Sequence, residues 1–149
     1  GYSDDGNAGW AVLYGRGDNN LEWGISRDGV DWMHGYTSKG SVPYDRWCHF
    51  AVTYDGSVLR AYINGQEDIG GDFPLAVGGP IHLSKAELLI GQDRAHGQVL
   101  GGPKTWSWNG LMDDVRLYNR ALNAADVAAL YAWKEDATSE PFADRTQRR

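Results

Sequence analysis

The chain alternates short apolar runs with tight polar turns, and the runs repeat at period two. Leu21, Trp23 and Ile25 share one face of an extended Leu21-Glu22-Trp23-Gly24-Ile25. Cys48, Phe50, Val52 and Tyr54 share another, and Leu59, Ala61 and Ile63 a third. Such alternation predicts strands with one buried side. Asp-Gly at 5–6, 28–29 and 55–56 and Asn-Gly at 64–65 and 109–110 supply the positive φ angles that hairpin turns need. Strands are predicted over Trp10 to Tyr14, Leu21 to Ile25, Val30 to Thr37, Trp47 to Tyr54, Val58 to Ile63, Ala86 to Ile90 and Gly110 to Tyr118. Residues 66–85 read as loop, and 92–109 as a long Gly-rich excursion of the kind that covers or binds something.

Only one helix is predicted. Asn123 is a good N-cap, with Asp126 three residues on in the manner of a capping box. The helix then runs Ala124 to Tyr131, with Val127, Leu130 and Tyr131 facing inward. The domain is expected to span 1–133. Residues 134–149, with Pro141 and Arg148-Arg149, read as a tail or linker. The chain opens at Gly1 without a Met, as expected of a processed or excised piece.

Three segments together carry a resemblance. They are Trp47-Cys48-His49-Phe50-Ala51-Val52-Thr53-Tyr54-Asp55-Gly56, then Leu59-Arg60-Ala61-Tyr62-Ile63-Asn64-Gly65, then Asn109-Gly110-Leu111-Met112-Asp113-Asp114-Val115-Arg116-Leu117-Tyr118-Asn119-Arg120-Ala121-Leu122. As a set, over roughly residues 8–131, the chain resembles the laminin-G-like jelly roll of the concanavalin A-like lectin/glucanase superfamily. The resemblance implies an all-β, antiparallel two-sheet jelly-roll sandwich with one short C-terminal helix. It also implies further strands before Trp10, so partner strands that complete the sandwich are expected from the same polypeptide or another chain.

Composition narrows the function. With a net charge of −6 and a pI near 5.0, the chain lacks the basic surface that phosphate backbones require, so nucleic acid is not expected as a partner. No apolar run approaches the roughly 20 residues of a membrane span, so no membrane insertion is expected. One Cys, Cys48, allows no intrachain disulfide, and its place in an apolar alternation reads as an inert buried thiol.

Catalysis finds little support. Glucanases on this fold set acidic residues two apart on one strand face, so that two carboxylates flank the scissile bond. The Glu residues are Glu22, Glu67, Glu87, Glu135 and Glu140, and none has an acidic residue two positions later. His34, His49, His82 and His96 show no metal-ligand spacing. The expected catalytic set is empty.

Seven Trp and eight Tyr point instead to sugar, because flat ring faces stack on pyranose C–H faces while amides and carboxylates bond the hydroxyls. Trp106, Trp108, Asn109 and Gln98 in the long loop, with Trp32 and Tyr36 beside the earlier hairpin, are the candidate ligand residues. Trp10 and Trp47 read as packing residues. The family resemblance further implies one structural Ca2+, with Asp113 as ligand and Asp114 in reserve. Against it stands the reading of Asp113 as a turn acceptor or a partner of Arg116. Two short motifs read as plain turns: Arg16-Gly17-Asp18, and Ser26 to Trp32, which resembles an Asp-box one residue short.

The expected function is therefore a noncatalytic recognition module of a larger extracellular, cell-surface or periplasmic protein. Its expected partner is carbohydrate or another protein chain. A structural assembly domain and a part of a polysaccharide-degrading enzyme are the alternatives.

Overall fold

The computed structural model describes residues 9–14, 17–85, 87–93 and 106–137. Strands β1 (Trp10–Tyr14), β2 (Leu21–Ser26) and β3 (Trp32–Tyr36) form an antiparallel sheet in that order. Strands β4 (Phe50–Tyr54), β5 (Val58–Ile63), β6 (Gln66–Glu67) and β7 (Leu75–Ala76) form a second, in which β5 pairs with each of the other three. Strands β8 (Gln92–Asp93) and β9 (Trp106–Ser107) pair separately, and helix α1 (Ala124–Ala137) closes the described chain.

The period-two faces meet largely as the pattern requires, although Phe50, expected on the buried side of its strand, is 45% exposed and Cys48 precedes the strand. Trp23 and Ile25 of β2 pack on Leu59 and Ala61 of β5, with Phe73 between the layers and Val12, Val52, Tyr54 and Leu75 around them. This is the core of a two-sheet sandwich. The opposite face of β5 is also used, because Tyr62 packs with Leu122 and Val127 under α1. The helix is capped reciprocally. Asn123 Oδ1 accepts from Asp126 N at 2.9 Å, and Asp126 Oδ2 accepts from Asn123 N at 3.1 Å. Tyr131 then lies over Gly65, whose φ of 80° suits the turn between β5 and β6.

The β4–β5 hairpin turns at Asp55-Gly56. Asp55 accepts from Ser57 N and Val58 N and pairs with Arg60 at 2.7 Å. The Arg60 guanidinium, and then those two amides, hold the Asp55 carboxyl down at about 2. A depressed carboxylate stabilises the fold above its unfolded value, and that contribution fades as pH falls towards the folded value. Asp55→Asn should therefore be less stable than the parent at neutral pH, and the gap should close between about pH 4 and pH 2. Urea titrations at several pH values check this; a constant gap would remove the assignment.

Several strand expectations need correction. Residues 110–120 form no strand and are exposed throughout, with Leu111 at 62%, Val115 at 55% and Leu117 at 62%. Asp114 takes a φ of 50°, which breaks an extended run, and no described strand lies alongside to pair it. The expected strand over Ala86 to Ile90 is also absent; Leu88 and Ile90 are exposed, Ala86 lies outside the described residues, and pairing begins only at Gln92. Residues 66–85 are not all loop, because β5 recruits β6 and β7 from them. The strand expected from Trp47 begins at Phe50, and Trp47 is 52% exposed rather than packed. Trp10 is 37% exposed, yet its ring meets Trp23 edge-on at 6.2 Å. The helix runs past Tyr131 to Ala137.

Candidate functional site

Strand register sorts the aromatic residues onto two surfaces. Directly opposed residues in an antiparallel pair share a face. Leu13, Glu22 and Tyr36 are opposed across β1, β2 and β3, as are Ala11, Gly24 and His34, and Ser26 faces Trp32. These rows lie opposite to the Trp23 and Ile25 face, so they make the outer face of the three-stranded sheet. Trp32, His34 and Tyr36 thus project from alternate positions of one strand, the outer two about 13 Å apart.

The row is held from several sides. His34 and Tyr36 meet edge-on at 5.7 Å between ring centroids. His34 Nε2 lies 3.8 Å from Glu22 Oε1, with the imidazole 35% exposed and the carboxylate 14%. They form a charge pair only when the imidazole carries a proton. Gly24 is required beneath them, since a Cβ there would lie 2.6 Å from His34 Cβ and 2.7 Å from the Met33 carbonyl oxygen. Tyr36 is 39% exposed, while its backbone is fixed on both sides by Asp72: Tyr36 N donates to Asp72 Oδ2 at 2.9 Å, and Asp72 N donates to Tyr36 O at 2.8 Å. At the other end of the strand, Asp28 accepts from Val30 N and Asp31 N, and Gly29 takes a φ of 90°. The shortened Asp-box is thus a hairpin turn.

The second surface gathers Trp108. Its ring lies 5.8 Å from Tyr14 at 85°, and Tyr14 in turn lies 5.4 Å from Tyr44 at 55°. Tyr14 is opposed to buried Leu21, so this cluster belongs to the inner side of the sheet. Trp108 is therefore not brought together with Trp32 and Tyr36. Asn109 follows Trp108 and is exposed. Trp106 stands in β9; its side chain and Gln98 lie outside the described residues.

Glu22 and His34 join the first surface, and Tyr14 and Tyr44 the second, without having been singled out as ligand residues from sequence. The alternation Trp32-Met33-His34-Gly35-Tyr36 carried the signal for His34. The contact of Tyr14 with Trp108 spans most of the chain and leaves no local trace.

Asp113 and Asp114 are exposed. Asp113 Oδ1 accepts from Asp114 N at 2.9 Å, and Asp114 Oδ2 lies 3.9 Å from Arg116. Among the described residues no group of three His, Cys, Asp or Glu side chains converges. Ca2+ takes roughly six to eight oxygens, and two exposed carboxylates, one of them turned to an arginine, do not by themselves make such a shell. Cys48 is half-buried, and that burial pushes its thiol up while Arg46 works against it.

Residues 2–128 match the profile of the Concanavalin A-like lectin/glucanases superfamily. The chain belongs to that superfamily. Among the described residues, the two larger antiparallel sheets and the one helix make the jelly-roll sandwich expected of a member. No curated protein matches the chain. A solved structure of an S-layer domain-containing protein from Clostridium thermocellum (residues 221–444) is similar at 22% identity and a TM-score of 0.47. The likeness covers 83% of this chain but 63% of that one. Among the described residues, no helix of this superfamily member is long and apolar enough to cross a membrane.

Proposed function

We propose that this domain is a noncatalytic recognition module that binds carbohydrate on the outer face of its three-stranded sheet. One observation carries the reading: Trp32, His34 and Tyr36 share a partly exposed strand face with a carboxylate 3.8 Å from the imidazole. Ring faces offer stacking to pyranose C–H groups, and Glu22 with His34 offers both acceptors and donors to sugar hydroxyls. Among the residues of β1, β2 and β3 on that face, Glu22 is the sole carboxylate, whereas glycoside hydrolysis generally uses two. We place the domain in a larger protein outside the cell or on its surface.

Tyr36→Ala should weaken binding of the best oligosaccharide in a broad panel by roughly tenfold, the worth of one stacked ring. The melting curve should barely move, since Tyr36 is exposed. Titration followed by tryptophan fluorescence reads the effect. No response of the parent domain to any glycan would end this reading.

A second reading rests on a different surface. The exposed apolar side chains Leu111, Met112, Val115, Leu117 and Tyr118 form a segment suited to pairing with a strand from elsewhere. In that reading the domain mediates assembly, and a partner strand completes the sandwich.

A further inference from the structure

We propose that Glu22 is the specificity-determining residue of the outer sheet face, turning acidic sugars away, and that His34 lifts this exclusion when it takes a proton. The inference rests on the sugar reading and names the class of sugar the face accepts. That class is neutral while the imidazole is neutral, and neutral or acidic once the imidazole is charged.

Placement carries it. Glu22 is directly opposed to Tyr36, so a pyranose stacked on that ring lies beside the carboxylate. The Glu22 side chain leans diagonally along the face, bringing Oε1 to 3.8 Å from His34 Nε2. Gly24, directly opposite His34, carries no side chain to stand between the two. With a neutral imidazole the pair carries the single negative charge of Glu22. An anionic sugar about 7 Å away then binds roughly 3- to 10-fold more weakly than its neutral counterpart. With a protonated imidazole the pair is neutral overall, and the repulsion goes.

Charges on the neighbouring elements are held elsewhere. On β1, Ala11 and Leu13 occupy this face and carry none. On β3, Tyr36 is the titratable side chain beside His34, edge-on at 5.7 Å. Asp28 accepts from Val30 N at 2.9 Å and Asp31 N at 2.8 Å within the hairpin. Asp31 is exposed there, roughly 10 Å along the chain from His34. Asp72 accepts from Tyr36 N, and Asp68 accepts from Ser38 N and Oγ past the end of β3. Arg27 donates to Gly78 O, and Lys39 pairs with Asp18.

The probes are cellotetraose, mannotetraose and galactotetraose, each beside the same tetrasaccharide with its primary alcohols oxidised to carboxylates. Binding is read by NMR titration at about pH 8 and about pH 5.5, which bracket the range in which imidazoles titrate and lie above that of ordinary carboxylates. Salt near physiological strength screens the distant charges. At the higher pH the neutral sugar should bind roughly 3- to 10-fold more tightly than its acidic form, and at the lower pH the two should agree within about twofold. Glu22→Gln should bring the two together at both pH values. His34→Gln should keep the discrimination at both. Equal binding by the parent at the higher pH, discrimination that survives Glu22→Gln, or a pH response that outlasts His34→Gln would each overturn the inference while the sugar reading stands. Binding of none of the six would overturn it differently, by removing sugar from the face.

Discussion

Leu59→Ala should lower the unfolding free energy by about 3–5 kcal/mol, while Leu117→Ala should change it by less than about 0.5 kcal/mol. Both leucines stand in apolar alternations that read alike in sequence. Leu59 has no exposed surface and touches the centre of the core, where Trp23, Ile25, Ala61 and Phe73 converge from both layers. Truncation there removes buried methyl groups and leaves a cavity that two sheets cannot easily close. Leu117 is 62% exposed, so its loss removes little from the folded state. For a domain of this size the first change corresponds to a melting point lower by about 6–20 °C. Thermal and urea unfolding of the two variants decide it. Equal losses at both positions would show that residues 111–118 are buried in solution, and the exposed segment that supports the assembly reading would disappear.

That contrast marks where sequence stops being informative. The hairpin of β4 and β5 was legible because everything it needs is local: alternation, an Asp-Gly turn and an Asn-Gly end. The cap of α1 was legible for the same reason, since Asn123 and Asp126 satisfy each other within one turn. Strand character at 110–118 was not settled locally. A strand exists only when a neighbour takes its backbone hydrogen bonds, and Asp114 at positive φ interrupts the run first. The short strands β6 and β7 were missed for the converse reason. Gln66-Glu67 and Leu75-Ala76 carry almost no pattern and are extended because β5 pairs them. For the candidate site, Trp32 and Tyr36 stand four apart in one strand, so the period of two puts them on one face. It could not tell that Trp108 would settle on Tyr14 across the sheet, because that depends on how a loop returns.

Gly71→Ala should be the most damaging single-methyl addition in the described chain, costing about 3–5 kcal/mol and weakening any ligand held by Tyr36. Its φ is not in the left-handed region, so the cost does not come from backbone preference. It comes from proximity. A Cβ at Gly71 would overlap the Tyr36 carbonyl oxygen and lie 2.7 Å from Thr37 C and 2.8 Å from Ser38 N. These are backbone atoms and cannot swing aside. To make room, the 68–72 segment must lift away from the end of β3. It would give up the pair of hydrogen bonds between Asp72 and the Tyr36 backbone, and those from Ser38 N and Oγ to Asp68. Hydrogen bonds to a carboxylate contribute about 1.5–3 kcal/mol each, so losing even two accounts for the figure. Gly56→Ala is the control: its φ of 92° disfavours a side chain, but the space around it is empty, and it should cost only about 1–2 kcal/mol. The two variants separate contact from conformation. If urea midpoints place them together, the 68–72 segment does not clamp β3, and the rigidity assigned to Tyr36 has lost its cause.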